Sequence, residues 1–254
     1  MAERSDPEVG ERVPRRELSS AMGPIVILTG AGVSAESGIR TFRGPDGLWE
    51  GHRVEEVATP EGFARDPALV YAFYNARRQS VRAALPNAAH LALARLEREL
   101  GAPVTVVTQN IDDLHERAGS RHVIHMHGEL LKARCCQCEA VVPWTEDLDG
   151  GSVCPECRRS GVLRPHVVWF GEIPLRLEEI AAAIEGASLF VAIGTSGQVY
   201  PAAGFAAHAA ALGVRTIEVN PESTPISPVF DRHLRGPAGV EVPRLVEEWL
   251  GGVR

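Results

Sequence analysis

The segment Pro24-Ile25-Val26-Ile27-Leu28-Thr29, followed at once by Gly30-Ala31-Gly32-Val33-Ser34-Ala35, decides the fold class of this chain. A short apolar run that ends in glycines is typical of a strand buried in a parallel sheet. The glycine segment fits the pattern G-x-G-x-x-G/A, in which the backbone approaches a pyrophosphate and its N–H groups donate to it. A single glycine-rich turn is weak evidence, so nucleotide binding needs support from the rest of the chain.

Similar apolar runs recur along the sequence and alternate with helical patterns. The further predicted strands are Val104–Thr108, Val123–Met126, Leu189–Ile193 and Thr216–Val219. The predicted helices are the segment after Pro86-Asn87 that ends before Gly101, then Pro201–Leu212 and Pro243–Leu250. Strands that alternate with helices predict an α/β fold, here a Rossmann-like, mostly parallel sheet with helices on both faces.

Composition and charge exclude several classes of protein. The chain has 254 residues, and 26 Lys and Arg against 33 Asp and Glu give a net charge of −7. This balance argues against direct binding of nucleic acid, which favours an excess of basic residues. The longest apolar stretches, such as Leu189–Ile193, are far shorter than the roughly 20 residues of a membrane span. Residues 1–22 are charged and contain no apolar signal segment, so we expect a disordered tail and a cytoplasmic protein.

The cysteines form a metal-binding pattern. Cys135 and Cys138, separated by two residues, precede Cys154 and Cys157 with the same spacing, which is typical of four thiolates around one structural zinc ion. The alternatives are two disulfides or buried thiols. Cys136 is left over, since pairing it with Cys138 gives a poorer spacing. The acidic residues around the cluster argue against a zinc ribbon that reads nucleic acid.

The sequence predicts two domains after the tail. Residues 23–40, 86–131 and 166–254 are assigned to the Rossmann-like domain. Residues 41–85, which contain helical stretches after Thr59-Pro60 and Pro67, form a helical insertion, and residues 132–165 form the zinc ribbon. Together these two insertions are expected to make a small zinc-binding domain.

Polar residues follow the predicted strands, at the edge where open α/β sheets bind ligands. Gln109, Asn110 and Asp112 follow one strand, although Asp112 is also a good helix N-cap. His125 and His127 follow another, and spacing alone does not choose between them as a proton acceptor. A dehydrogenase is disfavoured, because Glu50, at the distance expected for the acid that holds the ribose, does not lie in a strand.

Several motifs together resemble one known family. They are GAGVSAESGIRTFR at 30–43, TQNIDDLHERAG at 108–119, HMHGE at 125–129, the four cysteines, RPHVVWFGE at 164–172, GTS at 194–196 and the segment at Asn220. In this order they resemble the sirtuins, NAD-dependent protein deacylases, over about residues 22–250. The chain looks closest to the bacterial class III branch.

The resemblance implies roles for individual residues. His127 and Asn110 match the catalytic residues, and His127 matches the general base. Residues matching the NAD site are Gly30, Ala31, Gly32, Ser34, Gly38, Ile39, Arg40, Thr41, Phe42, Arg43, Trp49, Gln109, Asn110, Ile111, Asp112, Gly194, Thr195, Ser196, Asn220, Pro221, Glu222 and Ala238. Phe42 is expected to shield the reaction centre from water. Residues matching the peptide and acyl site are Ala58, Tyr74, Arg77, Val168, Trp169, Phe170, Gly171, Gly197 and Val199.

The chemistry that the resemblance implies begins when nicotinamide leaves the ribose as the acyl-lysine carbonyl oxygen attacks C1′. His127 then takes a proton from a ribose hydroxyl, whose oxygen attacks the alkylimidate. Water finally releases O-acyl-ADP-ribose and free lysine. His127 has to be neutral for this role. Acyl-lysine-bearing proteins or peptides are the expected partners of a monomeric enzyme.

Tyr74 and Arg77 bear on which acyl group the protein would accept, because at i and i+3 they share one face of a predicted helix. A guanidinium and a phenol can hold a carboxylate, which favours succinyl-, malonyl- or glutaryl-lysine over acetyl-lysine. The alternative is a solvated basic face, since Arg78 and Arg82 are nearby. The class III sirtuins carry this pair, and small Ala58 matches their roomier pocket.

Two other functions remain open from the sequence. The first is mono-ADP-ribosyl transfer to proteins, for which labelled NAD would stay on protein after denaturation. The second is an acyl-lysine binding module that releases no nicotinamide.

Overall fold

A computed structural model describes residues 22–40, 49 and 51–251. Residues 1–21 of the predicted tail lie outside this part of the chain. So do Thr41, Phe42 and Arg43 of the predicted cofactor loop. Met22, the last residue of the predicted tail, packs against the main core.

The described residues form nine strands, eight α-helices and two short 3-10 helices. The strands are β1 Ile25–Thr29, β2 Val104–Thr108, β3 Val123–His125, β4 Gly128–Cys135, β5 Val141–Pro143, β6 Leu163–Val167, β7 Leu189–Ile193, β8 Arg215–Val219 and β9 Arg232–Leu234. The α-helices are α1 Val54–Val57, α2 Pro60–Arg65, α3 Pro67–Ala83, α4 Ala88–Glu99, α5 Leu114–Ala118, α6 Leu177–Glu185, α7 Ala202–Ala211 and α8 Ala238–Gly251. The 3-10 helices are Ala31–Ser37 and Ser227–Val229.

Six strands form one parallel sheet in the order β3-β2-β1-β7-β8-β9. The chain runs outward from β1 to β2 and β3, and then returns to the other side of β1 with β7. The neighbours β1 and β7 therefore mark the point where the strand order reverses, which is where such sheets bind ligands. The predicted Rossmann-like fold is confirmed.

Helices cover both faces of this sheet because the side chains of a strand alternate between faces. On β1, Ile25 and Ile27 belong to a core shared with α4 and α8. Val26 and Leu28 belong to a second core with α6 and α7. All five residues of β1 are buried, which explains why its sequence is continuously apolar rather than alternating.

The second sheet has three antiparallel strands in the order β5-β4-β6. Helix α3 docks against it, since the Tyr71 hydroxyl donates to the Leu163 carbonyl at 2.7 Å and Arg78 Nε donates to the Leu130 carbonyl at 3.2 Å. The predicted domain boundaries after residues 131 and 165 fall inside β4 and β6. The division into two domains stays a prediction.

The last helix begins earlier than the sequence predicts. We expected Pro243–Leu250, but α8 begins at Ala238 and contains Pro243. Its first turn is stabilised from outside the helix, because the Gly239 N–H donates to the Glu36 carboxylate at 2.6 Å. Proline removes one backbone hydrogen bond from a helix, and here that loss is tolerated near the N-terminal end. Among the described helices, none is long and apolar enough to cross a bilayer.

Candidate functional site

The glycine turn after β1 meets the end of β7. The Gly32 N–H donates to the Gly194 carbonyl at 2.9 Å, and a Cβ on Gly32 would lie 2.6 Å from the Gly194 Cα. No side chain fits at this contact, which explains why both positions are glycine. The two backbones make a narrow floor at the switch point of the sheet.

A cavity of about 540 Å³ opens above this floor. All of the described residues that were predicted for the catalytic, cofactor and substrate sites line it, except Gly38, Gly197 and Glu222. The Glu222 side chain is exposed, whereas its carbonyl accepts from Arg235 at 3.1 Å. The structure therefore places the glycine turn, the polar strand ends and the residues predicted for the acyl site around one space.

Other residues of this cavity were not predicted. They include Glu36, Tyr200 and Pro237. Glu36 lies within the motif at 30–43 without being assigned a role there, and no sequence pattern distinguishes Tyr200 or Pro237. These two reach the cavity because the loops after β7 and β9 return to the same edge of the sheet.

His127 lies in the turn between β3 and β4. Its Nδ1 is 3.0 Å from the Gln109 carbonyl oxygen, which can only accept, so Nδ1 carries the hydrogen. Nε2 is then the basic nitrogen. Burial lowers the pKa of His127, and the hydrogen bond to Gln109 opposes this only in part. The turn requires Gly128, whose φ is +82° and whose Cβ would lie 2.2 Å from the His166 carbonyl oxygen.

His125 makes a different set of contacts. Its Nε2 lies 2.6 Å from a Glu116 carboxylate oxygen, and its Nδ1 lies 3.4 Å from the Asn110 carbonyl oxygen. Burial, the largest single effect, would lower the pKa of His125. The hydrogen bond and the charge of Glu116, together with smaller effects of Glu129 and the Asn110 carbonyl, outweigh it, so the pKa is raised. An imidazole that holds its proton in an ion pair is a poor base, so the geometry distinguishes His127 from His125.

A buried hydrogen-bond network supports the polar strand ends. Asn110 Nδ2 donates to the Gly30 carbonyl at 3.2 Å and to Ser34 Oγ at 3.1 Å. Ser34 Oγ donates in turn to Asp112 at 3.0 Å. Burial raises the pKa of Asp112, while bonds from Leu114 and Ser34 oppose the rise. Asp112 also accepts from the Leu114 N–H at 3.2 Å, but the N-cap residue of α5 is Asp113, so the expected N-cap is one residue too early.

Tyr74 and Arg77 lie on α3, where they line the cavity with Ala58. The Arg77 guanidinium lies 4.3 Å from the centre of the Trp49 ring, a cation–π contact. Arg78, which the alternative interpretation assigns to a solvated basic face, is instead 1% exposed and bonded to the second sheet. The charges of α3 therefore do not form a continuous basic surface.

The segment Val168–Gly171 was expected to clamp a peptide by backbone pairing. Three of its N–H groups are used within the chain. Val168 donates to the His127 carbonyl at 2.8 Å, Trp169 donates to the Glu172 carboxylate at 2.8 Å and Phe170 donates to the Ala58 carbonyl at 2.9 Å. Pairing with a peptide stays a prediction, and it has to use other backbone groups of this segment.

The four predicted metal ligands lie together, with all of their sulfur atoms within 4.8 Å of one another. The Sγ atoms of Cys135 and Cys157 are 3.7 Å apart, and those of Cys138 and Cys154 are 3.8 Å apart. A disulfide would require about 2.05 Å. Four thiolates at tetrahedral angles, each ~2.3 Å from one zinc ion, would be about 3.8 Å apart. The cluster therefore fits a structural zinc ion, and Cys136 lies outside it and is exposed.

Comparison with known proteins identifies the family of this chain. A model of the Sir2 family matches residues 30–201. The chain belongs to the Sir2 family. It is 61% identical over 228 residues to the NAD-dependent protein deacylase of Vibrio parahaemolyticus, covering 89% of this chain and 95% of that protein. It is 57% identical over 232 residues to the NAD-dependent protein deacylase of Escherichia coli K12, covering 91% and 83%.

Solved Sir2 structures agree with this placement. A Sir2 homolog in complex with NAD matches with a TM-score of 0.87 and 42% identity, and 98% of each chain is covered. A Sir2 protein bound to an acetylated peptide matches with a TM-score of 0.77 and 32% identity, covering 91% of this chain and 94% of that one. The predicted resemblance to the sirtuins is confirmed, and the relatives named above are bacterial.

Proposed function

We propose that this Sir2-family chain is an NAD-dependent protein-lysine deacylase that removes acetyl groups and the acidic acyl groups succinyl and malonyl. The observation behind the proposal is the single cavity lined by the glycine turn, by His127 and by the Tyr74–Arg77 pair. The bacterial relatives that share this name support the reaction class. The acyl range rests on Tyr74 and Arg77.

The residues of the cavity fit NAD. The backbone floor at Gly32 and Gly194 leaves no space for a Cβ, as is needed where a pyrophosphate approaches a turn. Gly30–Ser34 would hold the phosphates, Gln109–Asp112 the nicotinamide riboside, and Gly194–Ser196 with Asn220 and Ala238 the adenosine. When bound, NAD supplies a ribose C1′ from which nicotinamide can leave.

His127 acts as the general base in this proposal. Nδ1–H is held by the Gln109 carbonyl, so Nε2 is the atom that takes a proton from a ribose hydroxyl. Asn110 positions that hydroxyl or a water. Both hydrogens of its amide nitrogen have partners in the protein, so the group it offers to a ligand is the Oδ1 acceptor.

The pH dependence of the reaction tests the state of His127. Since burial lowers its pKa from 6.5, the neutral base persists below pH 6.5. We expect kcat/KM for an acetyl-lysine peptide, whose acyl group does not titrate, to fall only when the pH drops through a value below 6.5. A pH series from about 4.5 to 8 measures this. An acid limb centred at or above pH 6.5 would contradict the assignment of a depressed pKa.

Arg77 and Tyr74 select the acyl group. A succinyl or malonyl carboxylate beside Arg77 gains a charge-assisted hydrogen bond, whereas an acetyl group has no carboxylate to offer the guanidinium. Trp49 stacks on the guanidinium and limits its movement, so the charge is already in place when the acyl group enters.

The replacement Arg77→Met tests this selectivity. We expect kcat/KM for a succinyl-lysine peptide to fall about 10- to 100-fold, and that for the acetyl-lysine peptide to change less than about threefold. Arg82→Met is the matched control, because Arg82 lies exposed on the same helix and outside the cavity. If Arg77→Met lost acetyl turnover and kept succinyl turnover, the acyl assignment would be wrong.

A further inference from the structure

Tyr74 receives a hydrogen bond whose direction is fixed by chemistry. Trp169 Nε1 lies 3.0 Å from the Tyr74 hydroxyl oxygen. An indole N–H can only donate, so the tyrosine oxygen is the acceptor in this contact. The hydroxyl hydrogen of Tyr74 must therefore point away from Trp169.

The indole that imposes this direction is held on several sides. The Arg164 guanidinium lies 3.5 Å from the centre of the Trp169 ring. Arg164 is itself fixed, since Nη1 and Nη2 donate to the two Glu172 carboxylate oxygens at 2.7 and 2.8 Å and Nη2 donates to the Val167 carbonyl at 2.8 Å. The backbone N–H of Trp169 also donates to Glu172, at 2.8 Å.

Burial completes the arrangement. Trp169 is 2% exposed and Tyr74 is 1% exposed, so water does not compete freely for the hydroxyl. Burial raises the pKa of Tyr74 well above its usual range, which keeps the hydroxyl protonated at any working pH. Tyr74 is thus a permanent donor with a fixed orientation, on the same helix face as Arg77.

We propose that Trp169 is a positioning residue for acidic-acyl selectivity, because it directs the Tyr74 hydroxyl hydrogen toward the carboxylate of the bound acyl group. The inference rests on the proposed function. Arg164 and Glu172 hold the indole, Trp169 orients Tyr74, and Tyr74 and Arg77 together contact the carboxylate. An acetyl group has no carboxylate, so it does not use this arrangement.

A double-mutant cycle on Trp169 and Tyr74 tests the proposal. Trp169→Phe keeps an aromatic ring and removes the N–H. We expect it to lower kcat/KM about fivefold more for a succinyl-lysine peptide than for an acetyl-lysine peptide, mainly through KM. In a Tyr74→Phe background, Trp169→Phe should cause no further loss of kcat/KM for the succinyl peptide, since no hydroxyl remains to be oriented. A tryptophan analogue with sulfur in place of the indole N–H keeps the shape and should reproduce the effect if Trp169→Phe fails to fold.

Two comparisons separate the possible failures. Trp144→Phe is the matched control, because the Trp144 indole N–H also bonds a chain oxygen, the Asp147 carbonyl at 3.3 Å, outside the cavity. Equal losses of kcat/KM for the succinyl and acetyl peptides would overturn the role of Trp169, and so would a loss that persists in the Tyr74→Phe background. Neither result would contradict the proposed function. If the wild-type enzyme and Arg77→Met showed the same acyl preference, the acyl part of the proposed function would fail first.

Discussion

Replacing His127 by alanine is expected to lower the rate of lysine deacylation about 10²- to 10⁴-fold, the usual contribution of a general base. Nε2 of His127 is the basic nitrogen in the cavity because Nδ1–H is committed to the Gln109 carbonyl. No water in bulk solution replaces a base that is held at this position. The measurement is formation of deacylated peptide by mass spectrometry at saturating NAD and peptide.

His125→Gln is the control that shows whether the loss of activity is specific to His127. His125 lies two residues away, pairs with Glu116 and does not line the cavity. We expect His125→Gln to lower the deacylation rate less than about tenfold, because His125 contacts the Asn110 backbone but does not contact the substrate. Full activity in His127→Ala, or a larger loss in His125→Gln than in His127→Ala, would remove His127 from the mechanism.

Loss of zinc is expected to unfold the part of the chain around the four cysteines. Cys135 and Cys154 are themselves buried members of the small core of this segment, so the zinc ion would hold this core together from within. The binding free energy of structural zinc in small domains is roughly 10–16 kcal/mol. Replacing one thiolate by Cys154→Ser is therefore expected to lower the free energy of unfolding by about 3 kcal/mol or more. Zinc content, expected to be one ion per chain, and thermal unfolding measure the effect.

Cys136→Ser is the matched control for zinc loss. Cys136 is the exposed neighbour of Cys135 and lies outside the group of four sulfur atoms. This variant should keep its zinc and change the stability by less than about 0.5 kcal/mol. Helix α3 is docked on the same segment, because the Asn75 side chain and Leu148 exchange two hydrogen bonds at 2.9 and 3.0 Å. We therefore expect partial zinc loss to reduce succinyl turnover together with zinc content; unchanged folding after complete chelation would contradict a structural ion.

Strands were the most predictable part of this fold. Val104–Thr108 and Leu189–Ile193 have the bounds that the sequence predicts, because both faces of the central strands are covered and their apolar runs are uninterrupted. The start of α8 was not predictable. It depends on the Glu36 carboxylate, which is remote in sequence and stabilises the first turn from outside.

The candidate site was predictable where it follows strands and unpredictable where it depends on loop packing. Gln109 and Asn110 could be placed at the ligand edge, because a strand directly precedes them. The choice of His127 over His125 could not come from spacing. β3 ends at His125 and His127 lies in a tight turn, so strand alternation does not assign its direction. Nor does any pattern predict the contact between Trp169 and Tyr74, which joins residues far apart in the chain.

The measurement that tests the central claim most directly is nicotinamide release from NAD in the presence of acetyl-, succinyl-, malonyl- and unmodified lysine peptides. The deacylase assignment predicts release only with the acylated peptides, one nicotinamide for each lysine freed, and higher kcat/KM for the succinyl than for the acetyl peptide. Nicotinamide release without freed lysine, with labelled ADP-ribose left on protein after denaturation, would contradict it. So would stoichiometric binding of acyl-lysine peptide without any release of nicotinamide.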